Sequence, residues 1–120
     1  MLEKVNLAEK LALFDEPWQP RIVAELNDAY VKVVKLEDEF VWHHHDDEDE
    51  LFLVVSGRLR MELRDGEVIV EPGELVVVPK GVEHRPVAEG ETHVVLIEPK
   101  TTLNTGNVRN ERTLDELERI

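Results

Sequence analysis

From Arg21 to Glu98 the chain is a succession of short apolar runs, each closed within a few residues by Gly, Pro, Asn or Asp. Runs of this length, with no long helical pattern between them, confine the chain to an all-β barrel or sandwich. They predict strands over 21–26, 30–36, 40–45, 50–56, 58–64, 67–71, 75–78, 84–88 and 92–98, with Asn27-Asp28-Ala29 and Glu37-Asp38-Glu39 as turns. Asp65-Gly66 is the strongest hairpin signal, a two-residue loop suited to a type I′ turn that pairs Arg64 with Glu67 and Leu63 with Val68. That register sends Leu59, Met61, Leu63, Val68 and Val70 to one face and Arg58, Arg60, Glu62 and Arg64 to the other.

The flanks read differently. Asn6 and Glu9 have capping-box spacing, and Leu7, Leu11 and Phe14 recur at helical intervals, so a short helix is expected over 7–14 before Pro17 and Pro20. After Pro99 the tail 100–120 has no periodicity until Thr113-Leu114-Asp115-Glu116, a second capping box that predicts a short closing helix. At 120 residues and 13.8 kDa, residues 1–120 are expected to form one domain, with the barrel core at about 21–98.

Into this framework the chain places a cluster of metal-ligand residue types. His43 and His45 are two apart, which puts both imidazoles on one face of an extended segment. Glu50 follows five residues later at the start of an apolar strand, and His84 arrives after the Pro79-Lys80-Gly81 turn. Three imidazoles and one carboxylate suit a single divalent transition metal ion, whether Mn, Fe, Ni, Co, Cu or Zn. Such a shell leaves open positions on an octahedral ion, and Glu50 is a candidate catalytic group as well as a ligand.

Charge narrows the partners. With 27 acidic against 14 basic residues the net charge is −13, a field that repels phosphate backbones and anionic membrane surfaces. The expected partners are therefore a small-molecule substrate and a second copy of the chain, with no nucleic acid and no membrane. There is no cysteine, hence no disulfide and no thiolate ligand. The charged start Met1 to Asn6 lacks the apolar segment of a leader, and no run approaches the ~20 apolar residues of a span, so a cytoplasmic location is expected.

His43-x-His45, four residues, Glu50, six residues and Gly57 resemble the first motif of the cupin superfamily. Gly73, five residues and Pro79-x-Gly81-x-x-His84 resemble the second, and the fifteen residues between Gly57 and Gly73 are similar to the short inter-motif segment of small single-domain microbial cupins. Ala88 stands where the second motif ends in asparagine. The tail Leu103-Asn104-Thr105-Gly106 also looks like that of a subgroup of small cupins. The resemblance implies a conical jelly-roll β-barrel in which His43, His45, Glu50 and His84 hold one metal ion near the barrel mouth.

Parity assigns the neighbours. Val41, Phe52 and Val54 share the ligands' side and are expected to wall a small apolar pocket, while Phe40, Trp42 and His44 point away from it. His93 reads as structural, and Asp46 to Asp49 as a solvated loop or, alternatively, as acids that orient the ligand imidazoles. Residues 51–55 and 75–78 are apolar on both faces, which a homodimer interface explains better than cover by the short N-terminal helix or the C-terminal tail.

A metal-dependent enzyme with dioxygenase or other oxidoreductase chemistry on a chelated substrate is the leading reading. The alternatives are a metal-dependent decarboxylase or sugar isomerase, and a non-catalytic ligand-binding module.

Overall fold

A strand of unusual length, His84–Pro99, organises the fold in the computed structural model, which describes residues 2–120 and so leaves Met1 of the expected domain outside it. In chain order the elements are α1 (Leu7–Leu11), β1 (Arg21–Leu26), β2 (Ala29–Glu39), β3 (Glu50–Ser56), β4 (Leu59–Leu63), β5 (Gly66–Val70), β6 (Leu75–Val78) and β7 (His84–Pro99). One edge of β7 pairs antiparallel with β2, from Ala29 opposite Pro99 to Glu39 opposite Val87. Its other edge is divided: His84 to Ala88 pair with β4, and His93 to Ile97 pair with β3. The strands β1, β5 and β6 flank β2, β4 and β3. The arrangement is a jelly roll whose sheet is not closed into a ring.

The residues that signal a break in the middle of β2 and β7 act as bends inside continuous strands. Asp38 and Gly90 both have positive φ (62° and 75°), and the β2–β7 register shifts between Leu36 and Asp38. An irregularity of this kind bends a strand without ending it. Hence Glu37-Asp38-Glu39 is not a turn, and 84–88 and 92–98 are one strand.

Side-chain alternation fills the interior with Val34, Leu36, Phe52, Val54, Leu59, Met61, Val70, Val78, Ala88, Val94 and Leu96. On the outer face Leu11 and Phe14 pack against Val33 and Val95, and Leu53, Ile97 and Ile120 join them. The helix therefore covers part of the second apolar face, while Val55, Leu75 and Val77 remain exposed.

Several boundaries differ from the sequence expectation. The helix ends at Leu11 with Ala12 as C-cap, although Phe14 beyond it is buried. The β4–β5 turn falls on Arg64-Asp65, with Leu63 opposite Gly66 and Met61 opposite Val68. Neither Arg64 nor Asp65 has positive φ, so the turn is not type I′. The slip is two residues, which keeps every side chain on its expected face. Residues 113–120 form no helix, because Thr113 Oγ1 is engaged by the Asn110 amide (3.0 Å) and by Thr105 Oγ1 (2.7 Å). The end of the tail instead bridges β1, with Arg119 beside Ile22. Residues 40–45 form no strand; His43 makes a single antiparallel bridge to His84. Among the described residues no helix is long and apolar enough to cross a membrane.

Candidate metal centre

Three local devices deliver the four ligand candidates. His84 opens β7, Glu50 opens β3, and His43 and His45 come from the irregular segment between β2 and β3. Reciprocal hydrogen bonds between the backbones of His43 and His84 (3.0 and 2.9 Å) bring the first ligand to the last. The Gly81 amide donates to the His45 carbonyl (2.7 Å), and the Lys80 amide donates to Asp49 Oδ1 (2.8 Å), so the Pro79–Gly81 turn is tied to both ends of the acidic loop. Gly81 has φ 82°, a conformation that favours glycine.

The four side chains converge. One ligand atom from each of His43, His45, Glu50 and His84 lies within 4.8 Å of the others, and all four residues are buried. Bonds of ~2.0–2.2 Å to a transition metal place opposite ligands ~4–4.4 Å apart, so small movements of the side chains suffice to close on an ion.

The hydrogen bonds around the rings fit that chemistry. His43 Nδ1 lies 2.9 Å from the Val41 carbonyl, and His84 Nδ1 lies 2.8 Å from the Val82 carbonyl. A carbonyl only accepts, so Nδ1 carries the proton in both rings and Nε2 presents its lone pair to the centre. There His84 Nε2 stands 3.1 Å and His45 Nε2 2.9 Å from the same oxygen, Glu50 Oε1. His45 Nε2 has no hydrogen bond of good geometry. The His84 lone pair facing an acceptor oxygen calls for positive charge at the centre of the group, which a divalent ion would supply.

Burial, reinforced by the nearby His84 ring, lowers the His43 pKa to about 4, which keeps this imidazole neutral and able to ligate. Burial pushes the Glu50 carboxyl upward, but the adjacent Glu98 and the neighbouring His45 and His84 rings outweigh it and hold the carboxyl well below its ordinary range.

A narrow cavity of about 40 Å³ reaches the centre. Its wall is largely apolar, with Trp18, Phe40, Phe52 and Leu96 beside His43 and Glu50, and no Lys or Arg lines it. Phe52 thus stands on the wall as parity places it. Val54 is instead buried in the core, and Val41 serves through its carbonyl. Phe40, expected to face outward, stacks on Trp18 at 4.8 Å and meets the His43 ring edge-on at 5.4 Å. Parity counted back from His43 fails because residues 40–45 are not a strand. Trp42 does face away, under the guanidinium of Arg64 at 3.8 Å. His44 turns to Asp46 (2.9 Å), and His93 lies beside Glu91. The acidic loop orients no ligand imidazole at His43 or His84; backbone carbonyls do so.

Two residues escaped the sequence reading. Glu98 lines the cavity beside Glu50, and its Oε1 accepts from Lys32 Nζ at 2.7 Å. Burial and the adjacent Glu50 charge raise the Glu98 carboxyl well above its ordinary range, against the opposing pull of Lys32. Glu98 shares parity with Val94 and Leu96, and Lys32 with Val34 and Leu36, so interior placement was readable from β7 and β2.

The cupin-domain family model matches residues 29–99. A cupin-2 domain protein from Shewanella frigidimarina is 47% identical, with a TM-score of 0.79 over 80% of this chain and 94% of that one. Protein NMB1881 from Neisseria meningitidis is 36% identical, with a TM-score of 0.74 over 82% of this chain and all (100%) of that one. Among curated relatives, YdbB of Bacillus subtilis is 38% identical over 52% of this chain and 57% of its own length. The acireductone dioxygenase of Bacillus licheniformis is 31% identical over 62% of this chain and 45% of its own length. The chain thus spans about half the length of the curated relatives it matches.

Proposed function

The chain belongs to the cupin family, and from that premise we propose that it is a metal-dependent oxidoreductase of the dioxygenase type. In this reading His43, His45, Glu50 and His84 would hold one divalent transition metal ion, and the substrate class is a small molecule with vicinal or enolic oxygens. The convergence of the four buried ligand atoms beneath an apolar cavity carries the reading. A bound ion supplies Lewis acidity and a template for the oxygens of the substrate.

The chain's own residues do the remaining work. The Val41 and Val82 carbonyls fix the rings of His43 and His84 with Nε2 inward. Glu50 supplies one negative charge to the centre. Glu98, whose carboxyl favours its protonated form, holds a proton at the cavity wall beside Glu50. Trp18, Phe40 and Phe52 exclude water and offer flat apolar surface to the substrate. With no cation on that wall there is nothing to clamp a phosphate, which favours a neutral substrate over a sugar phosphate. Similarity to acireductone dioxygenases supports the dioxygenase class.

The test is oxygen consumption by protein loaded in turn with Fe, Mn, Ni, Co, Cu and Zn, offered enols, catechols and β-diketones. Uptake with at least one pair, lost in the His43→Ala/His84→Ala variant, is expected. No uptake across the whole panel overturns the enzymatic reading.

A further inference from the structure

The segment that carries His43 and His45 meets β7 at an isolated bridge, His43 to His84, and forms no continuous ladder with it, yet both imidazoles are buried and brought to one point. The C-terminal tail supplies what is missing. Asn107 makes two hydrogen bonds to His44, the residue between the two ligands: the His44 amide donates to Asn107 Oδ1 (2.8 Å), and the Asn107 amide donates to the His44 carbonyl (3.0 Å). The side-chain carbonyl of Asn107 thereby stands in for the backbone acceptor of an adjoining strand.

The approach of the tail is close. Gly106 has φ 56°, and a Cβ there would overlap the His44 carbonyl and lie 3.1 Å from Cδ2 of His43. Thr105 is fully buried and bonded to Thr113, and Asn104 accepts from the Leu114 amide and donates to the Arg112 carbonyl (both 2.8 Å), so the strap is itself anchored.

We propose that the strap Thr105-Gly106-Asn107 is a built part of the metal centre, with Asn107 as a positioning residue that fixes the backbone between His43 and His45 and thereby sets metal affinity and ligand geometry. The proposal rests on the metal reading above for its consequence, whereas the clamp itself is a property of the metal-free chain. Asn107→Ala removes the Oδ1 acceptor. Gly106→Ala forces the strap off His44. Asn107→Asp retains an acceptor oxygen and is the rescue.

Three readouts decide it on the full chain: hydrogen exchange of the His44 amide in metal-free protein, the Co(II) dissociation constant, and the ligand-field spectrum of the Co(II) form. In Asn107→Ala the His44 amide should exchange faster, and the cobalt dissociation constant should rise by about 10-fold, the lower end of the range for losing a direct partner of a ligand, because Asn107 acts on the backbone between two of them. The spectrum should shift, and Asn107→Asp should restore it. Any rise of threefold or more supports the proposal. A rise below threefold with an unaltered spectrum overturns it, even where thermal stability falls, because a merely structural strap weakens the fold without touching the ion. If Gly106→Ala fails to fold, Asn107→Ala alone decides. Absence of cobalt uptake by the unsubstituted chain overturns the metal reading and with it the claim on affinity, and the His44 amide then decides the clamp.

Discussion

Lys32 Nζ donates to Glu98 Oε1 at 2.7 Å, and the two side chains are 3% and 1% exposed. Removing one partner of such a pair leaves the other charge or dipole stranded, at a typical cost of ~3–5 kcal/mol. Glu98 can absorb part of that cost by keeping its proton, so Lys32→Met should destabilise the metal-free protein by about 2–4 kcal/mol. The double variant Lys32→Met/Glu98→Gln should recover more than half. Urea unfolding of the three proteins checks this; a Lys32→Met chain as stable as the original would show the pair to be energetically idle.

The proposed ligand set predicts a graded response to substitution. His43→Ala/His84→Ala should abolish stoichiometric metal binding, read by elemental analysis of purified protein. His44→Ala should leave metal content near that of the unsubstituted chain, since its ring is committed to Asp46. Glu50→Gln should keep part of the metal and cut turnover more than occupancy, because it removes the one anionic ligand while keeping its shape. Full occupancy in the double alanine variant would remove these residues from the site.

The depressed pKa of His43 has a definite sign in stability. Its folded value of about 4 lies below the ordinary 6.5 because burial disfavours the charged ring. Above 6.5 both states are neutral and stability is complete. Between 6.5 and 4 the unfolded chain takes up a proton that the folded chain refuses, so stability falls with pH by on the order of 3 kcal/mol. Glu98, raised in the folded state, contributes in the opposite sense, with stability lost as pH rises through its folded value. The comparison is therefore between metal-free original and His43→Gln chains, unfolded in urea at pH 7 and pH 4.5. The variant should show a distinctly shallower decline on acidification, and identical declines would contradict the shift.

Association is expected through the outer face of β3 and β6. There Val55, Leu75 and Val77 are 38%, 57% and 47% exposed on a chain otherwise rich in charge. Sedimentation should give a homodimer, and Val77→Lys should shift it toward monomer without loss of metal. A single 13.8 kDa species for the unsubstituted chain at tens of micromolar, an experimental choice of concentration, would exclude this assembly.

Much of the molecule was legible because β alternation is local and strict. The interior set of β3 and β4, and the convergence of His43, His45, Glu50 and His84, follow from spacing and family motifs. What escaped depended on departures from that alternation. The bend at Asp38 keeps β2 running past an apparent turn, and the absence of a strand at 40–45 reverses the expected side of Phe40. The grip of the aperiodic tail on His44 has no signature in hydrophobic period at all. Glu98 and Lys32 were within reach, since each shares parity with buried neighbours.

Trp18 holds a left-handed backbone (φ 62°) with its ring stacked on Phe40, which in turn abuts the ring of His43. The other indole, Trp42, lies outside under Arg64. The molecule thus carries two chromophores in unlike surroundings, one on the cavity wall and one away from it. A guest that quenches by contact at the cavity wall should dim the first more than the second, so the emission of the chain reports on the cavity with no label attached.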